Sequence, residues 1–422
     1  MSLWKVFSNY KLFEIFVLGI ISGMPMSILI VALSAWLYES NIAVSVITTF
    51  AVAKIPFAFK PLWAPVVDNT SIPYLSRFGQ RKSWMMICLL INITILFTIS
   101  SLNPSEHLAQ LYYWTILLGI SAATFDINAD AFRIERFDNH KQSLAAASMV
   151  FGYRIGMLMA GAGSLYFSEL TSWGGNFQML SLIFAMGLVF VYFLNEEKIF
   201  RSLDGISISS FKIIILEPFL EFFHKNRSII IILGVFSFKI GDVMLGSVAN
   251  VFYLKLGFSK SEIASITKLW GLCATIVGSY IGGVIIYKIG NLNGLIVTGL
   301  IQSVTNLGFL WLNYHPGDLY ALTISITLEN IGNGMGTVAL VGYISYLCNK
   351  RYSATQYALF SSCSTFANDT VSIYTGHLVE LIGWEIFLLS TAFFGLPSIM
   401  LFVYLRFYFL NSGINKPVII QK

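Results

Sequence analysis

The chain has 422 residues, 56% of them hydrophobic and only 11% charged, and its mean hydropathy is +0.74. A soluble domain carries about 25% charged residues and cannot hide so much apolar surface, which excludes a soluble fold. The net charge of +5 does not point to nucleic acid, because the basic residues alternate between apolar stretches instead of forming one face.

In chain order, apolar stretches predict spanning helices at 13–37, 44–65, 83–102, 111–132, 144–167 and 177–194, then at 229–252, 263–286, 295–312, 319–347, 354–379 and 384–405. Each is near the ~20 residues a helix needs to cross a bilayer. The expected fold is therefore an all-α membrane protein with twelve transmembrane helices in two six-helix halves, 1–194 and 229–422. Residues 195–228 form a cytoplasmic link between them, in which Phe211, Ile214, Ile215, Phe219 and Phe222 recur near helical spacing and predict a segment lying along the membrane surface. The first stretch is longer than the apolar core of a signal peptide and is expected to be retained. Lys and Arg crowd every second loop, as at Arg77, Arg81, Lys82, Arg133, Arg136, Lys141, Lys288, Lys350 and Arg351, whereas only Lys255 and Lys260 fall on the opposite loops. Both termini are thus expected in the cytoplasm. Cys88, Cys273, Cys348 and Cys363 are scattered, so neither a disulfide framework nor a metal site is expected, and no cofactor motif occurs.

Two stretches suggest an internal duplication. Ala64-Pro65-Val66-Val67-Asp68 leads into Gly79-Gln80-Arg81-Lys82, and Gly282-Gly283-Val284-Ile285-Ile286-Tyr287 leads into Lys288-Ile289-Gly290. Both resemble the cytoplasmic signature between helices two and three of major facilitator transporters. The acid of that signature can pair with a base or cap a neighbouring helix in one conformation.

Charges inside spanning helices are expensive and read as functional by default. The chain places Lys54, Lys60, Arg154, Lys239 and Lys268 there, with Asp126, Asp130, Asp242, Glu329 and Asp369. Asp126 and Asp130 stand four apart on one helical face. Two carboxylates side by side in a low-dielectric setting do not both hold their charge easily, which suits one of them to take and release a proton. Asp130 can instead pair with Arg133 or Arg154, leaving Asp126 as the proton site. Lys239 and Asp242, three apart, suit a pair within one turn. Gly152 and Gly156 have the spacing of close helix packing. Trp63, Tyr153 and Trp270 are candidates for stacking on a sugar ring.

Longer stretches carry a family likeness. Phe59-Lys60-Pro61-Leu62-Trp63-Ala64-Pro65, Asp126 with Asp130-Ala131, Gly152-Tyr153-Arg154-Ile155-Gly156, Phe238-Lys239-Ile240-Gly241-Asp242, Leu328-Glu329-Asn330 and, most specifically, Leu347-Cys348-Asn349-Lys350-Arg351-Tyr352-Ser353-Ala354-Thr355-Gln356-Tyr357 resemble the muropeptide permease (AmpG) branch of the major facilitator superfamily. The resemblance implies uptake of anhydro-muropeptides, anionic sugar-peptide fragments of peptidoglycan, by proton symport in a bacterial inner membrane, with the two halves rocking about a central site. Lys54, Lys60, Arg154, Lys268, Asn330 and Gln356 are then expected to meet cargo carboxylates and amides. Lys239, Asp242, Glu329 and Asp369 complete the candidate cargo set, and the expected partners are this substrate, protons and lipid.

Other readings have their own signals. Acetyl-coenzyme A transporters resemble the same branch, which leaves an anionic nucleotide or coenzyme A thioester as a second cargo. Asp126-Ile127-Asn128-Ala129-Asp130 resembles the Asp-x-x-x-Asp of intramembrane prenyltransferases, but the second half holds no matching motif. A non-transporting assembly factor of the same fold is the remaining alternative.

Overall fold

The computed structural model describes residues 10–138, 141–196, 217–224 and 227–411. Among them no strand occurs, and the helices fall on the expected segments. In chain order they are α1 (Tyr10–Glu39), α2 (44–69), α3 (Gln80–Ile99), α4 (Leu108–Arg136), α5 (Gln142–Leu170) and α6 (Trp173–Phe193). There follow α7 (Ser228–Lys255), α8 (260–289), α9 (Asn291–Asn313), α10 (Leu319–Leu347), α11 (353–382) and α12 (384–411).

By length and composition, nine helices among the described residues can cross a membrane; the bent pair Leu319–Leu347 and Lys350–Ser372 makes ten. Outside that count stands α2, while α11 is shared between the bent pair and the span Tyr374–Leu410; the departure of α2 from the sequence expectation has a plain cause. Pro56, Pro61 and Pro65 each sit at the start of a new short helix, so one apolar run becomes Ile55–Phe59, Lys60–Leu62 and Ala64–Asn69. Proline lacks the donor that would bond to the previous turn, and each one restarts the helix. Similarly, α1 carries a π-helical stretch at Ile28–Ala32 shortly after Pro25.

The chain divides into two compact units. The first comprises Met1–Phe137, Ser148–Phe219 and Cys348–Ser362; the second comprises Asp138–Ala147, Leu220–Leu347 and Cys363–Lys422. The beginning of α11 therefore belongs to the first unit. Of the linking segment, residues 217–223 are helical and contain Phe219 and Phe222, whereas Phe211, Ile214 and Ile215 lie outside the described residues.

Inside the first unit, α1 and α5 touch backbone to backbone. A Cβ at Gly152 would collide with the Phe16 carbonyl, one at Gly156 with Ile20, one at Gly19 with Met149 and one at Gly23 with Tyr153. In a membrane, where lipid is as apolar as Leu, such close approach is what holds helices together. The second unit repeats the device between α8 and α10: a Cβ at Gly278 would strike the Ile331 carbonyl, and one at Gly334 the Thr275 carbonyl. Its apolar core gathers Phe252, Tyr253, Phe309 and Phe387 with Trp384 beside them.

Candidate functional site

The unit-one charges form a column of ion pairs along α4. At one end of the column, Arg81 in the first turn of α3 is fully buried. Its Nε and Nη2 reach Glu135 Oε1 at 3.1 and 2.7 Å, Nη2 also binds Asp68 Oδ1, and Ser353 Oγ lies 3.2 Å away. Asp68 faces the start of α11 with its other oxygen, accepting from Thr355 N at 2.7 Å and Thr355 Oγ1 at 2.6 Å. The acid of the signature thus pairs with a base and caps a helix at once. Gln80 closes the end of α2 through the Val67, Asp68 and Thr70 carbonyls, at 2.9, 2.8 and 3.2 Å.

The turn that makes this possible is Gly79, at φ 118° and ψ 151° immediately before α3. Only glycine adopts that region readily. Glu196 replaces a conventional cap, accepting from the Arg81 and Lys82 amides at 3.0 and 2.9 Å. In return, Lys82 Nζ binds the last carbonyls beside α6, Tyr192 O at 2.9 Å and Leu194 O at 2.6 Å. A carboxylate on a helix start and an ammonium on a helix end both suit the helix dipoles. Burial raises the Glu196 carboxyl above its usual range, against the lowering effect of the two amides.

One layer further in, Asp130 pairs with Arg133 at 3.1 Å, and the Arg133 guanidinium lies 5.2 Å from the Tyr357 ring centre. Glu14 of α1 pairs with Arg136 at 2.9 Å. Deepest, Asp126 receives Lys60 on one oxygen and Ser22 on the other. Asp126 is 9% exposed and Lys60 8%, so this pair is nearly withdrawn from solvent. Tyr153 is within electrostatic reach of Asp126, Asp130 and Arg154.

Of the expected site residues, unit one therefore brings together Lys60, Asp126 and Asp130, with Tyr153 and Arg154 nearby. Lys54 is exposed. Trp63 packs on a small core of Ala64, Val67, Ile127 and Ala131. Gln356 is buried, accepting from Asn349 N at 2.7 Å and donating to Pro218 O at 3.0 Å, which makes it a tie between chain segments.

In unit two, Lys239 and Asp242 pair at 3.2 Å, while Asn330 donates to Glu329 at 2.8 Å and accepts from Thr275 at 2.7 Å. Trp270 is 53% exposed and donates to Thr327 at 2.8 Å. Lys268 and Asp369 fall on α8 and α11, with their side chains outside the described set. Sequence reasoning missed Ser22, Glu14, Glu135 and Glu196. Glu14 within an apolar run was the one visible signal, since a lone acid there requires a partner.

These features, helices of membrane-spanning length and a Gly-turn latch of Asp68 and Arg81, are those of a multi-pass membrane transport family. The chain belongs to the major facilitator superfamily, which matches residues 15–368. Within it, the chain falls in the AmpG branch. It is 49% identical over 409 residues to AmpG 4 of Rickettsia conorii, covering 96% of this chain and 99% of that one. It is 27% identical over 405 residues to the anhydromuropeptide permease of Escherichia coli K12, covering 95% and 81% respectively. Among solved structures the fold is similar to the proton:xylose symporter XylE, at TM-score 0.68 and 15% identity over 94% of this chain and 96% of that one. The human organic anion transporter MFSD10 gives a TM-score of 0.66 at 13% identity, covering 93% and 98%.

Proposed function

We propose that the protein imports anhydro-muropeptides together with protons across a bacterial cytoplasmic membrane, with both termini inside. The cargo rests on the likeness to the Escherichia coli permease. The coupling rests on one observation: Asp126 holds Lys60 in a nearly dry pair. While Asp126 is ionised, the Lys60 ammonium is satisfied and has little attraction for an anionic cargo. A proton on Asp126 removes that counter-charge, and the uncompensated ammonium then recruits a carboxylate of the peptide. Proton and cargo thereby favour one another's binding, and linkage makes the effect reciprocal. Asp130 already has Arg133, so it sets the field around Asp126 and takes the second coupling role. Arg154 and Tyr153 are assigned to the cargo's carboxylates and sugar. The halves 1–194 and 229–422, joined by 195–228, alternate access by rocking, and the Asp68–Arg81–Thr355 latch holds one of the two states.

Proteoliposomes carrying labelled anhydro-muropeptide test this reading. Asp126→Asn leaves Lys60 without its counter-charge, so binding is expected to persist and to lose its pH dependence, while accumulation driven by an inward proton gradient falls to simple equilibration. Accumulation at the wild-type level in that variant would remove Asp126 from coupling. Loss of binding in Lys60→Ala, with the fold intact, is the companion result.

A further inference from the structure

The second unit holds a charged cluster that the proton mechanism does not use. Helix α7 is interrupted in mid-span, where Ser228–Ser237 ends and Ile240–Lys255 begins, and Lys239 stands at the break. Breaks of this kind free backbone and side-chain oxygens to surround an ion. Lys239 is 8% exposed, and among the described residues its ammonium donates to Asp242 Oδ2 at 3.2 Å, Gln302 Oε1 at 3.3 Å, Asn333 O at 3.1 Å and Asn333 Oδ1 at 3.5 Å. They come from α7, α9 and α10. Asn306 donates to the second Asp242 oxygen at 3.2 Å, and its own Oδ1 is buried without a partner. Asn306 also lines, with Gly299, Ser303 and Thr391, a cavity of about 10 Å³, which is near the space one water needs. Gly336 keeps the seat open, since a Cβ there would collide with Gln302 Oε1 and lie 3.4 Å from the ammonium.

We infer that α7, α9 and α10 form a monovalent-cation site whose occupant is the chain's own Lys239 ammonium, and that a methylammonium or potassium-sized ion takes the seat when that side chain is removed. A cage of neutral oxygens around one carboxylate is the donor set of a hard cation. Its spacing of 3.1–3.5 Å from the nitrogen lies at the long end of ammonium hydrogen bonds and is far wider than the ~2.0–2.1 Å a magnesium ion demands. Tethering the cation gives Asp242 a counter-charge without drawing an ion from either side of the membrane.

The test is the unfolding temperature of detergent-purified protein in choline, sodium, potassium and methylammonium chlorides at one ionic strength. The wild type is expected to unfold at the same temperature in all of them. Lys239→Ala is expected to unfold earlier in choline and to recover saturably in methylammonium and potassium. That recovery is about 1–2 °C at ten times the half-saturating concentration, is smaller in sodium, and is absent in Lys239→Ala/Asp242→Asn. An unfolding temperature of Lys239→Ala that is equal in every salt overturns the inference, as does a recovery that persists in the double variant. Should Lys239→Ala fail to fold in choline, its recovery as folded protein in methylammonium supports the inference, and failure in every salt overturns it.

Discussion

The loops after α2 and after α8 share one backbone turn, while only the first is set in a charged network. Gly79 has φ 118° and ψ 151°, and Gly290 has φ 86° and ψ 161°; each directly precedes the next long helix. Around Gly79 the turn carries Asp68, Arg81 and Glu135 in a buried network that reaches the start of α11. At Gly290 the preceding residues are Tyr287 and an exposed Lys288, with no acid at the matching place. The turn and the charged network are therefore separable: the first is a requirement of the backbone, and the second is an addition at the loop after α2.

The largest effect should come from breaking the latch. Arg81→Ala leaves Asp68 and Glu135 buried without their counter-charge, an expected loss of about 3–5 kcal/mol in unfolding free energy. Lys288→Ala, an exposed base beside the turn at Gly290, should stay within about 0.5 kcal/mol. Equal losses in chemical denaturation of the two variants would erase the distinction between the halves.

Packing sharpens the comparison at a smaller scale. Gly156→Ala drives a methyl into the Ile20 carbonyl, and overpacking of this kind costs about 1–3 kcal/mol. Gly246, on α7, has nothing within 4 Å of a Cβ. Gly246→Ala should gain roughly 0.5–1 kcal/mol from helix propensity, readable as a higher unfolding temperature.

The smallest effect is a pH dependence. Because burial raises the Glu196 carboxyl above its ordinary value, its contribution is fully present below the unfolded-state value and is lost as pH rises through the raised one. Stability should therefore decline across that window in the wild type, and Glu196→Gln should flatten the decline. A variant with an unchanged profile would assign the pH dependence to another group.

Much of the fold was legible because membrane spans announce themselves by length and apolarity, and the break of α2 was written in Pro56, Pro61 and Pro65, though an unbroken helix was expected there. Asp126 and Asp130 were legible as charges within an apolar run, and the pairing of Asp130 with Arg133 follows from their i, i+3 spacing. The rest of the site was hidden by sequence distance. Ser353 meets Arg81 across 272 positions and Glu14 meets Arg136 across 122, and nothing local in a serine or an acid names so distant a partner. Ser22 is likewise one small polar residue in an apolar stretch until the fold sets it against Asp126.

The proposed exchange of Lys60 for a proton at Asp126 can be tested without transport. Adding anhydro-muropeptide to purified protein in weakly buffered detergent solution, with a pH dye present, reports proton uptake on binding. Wild-type protein should take up protons, and Asp126→Asn should bind the same ligand without doing so. Identical proton uptake by both would contradict the mechanism.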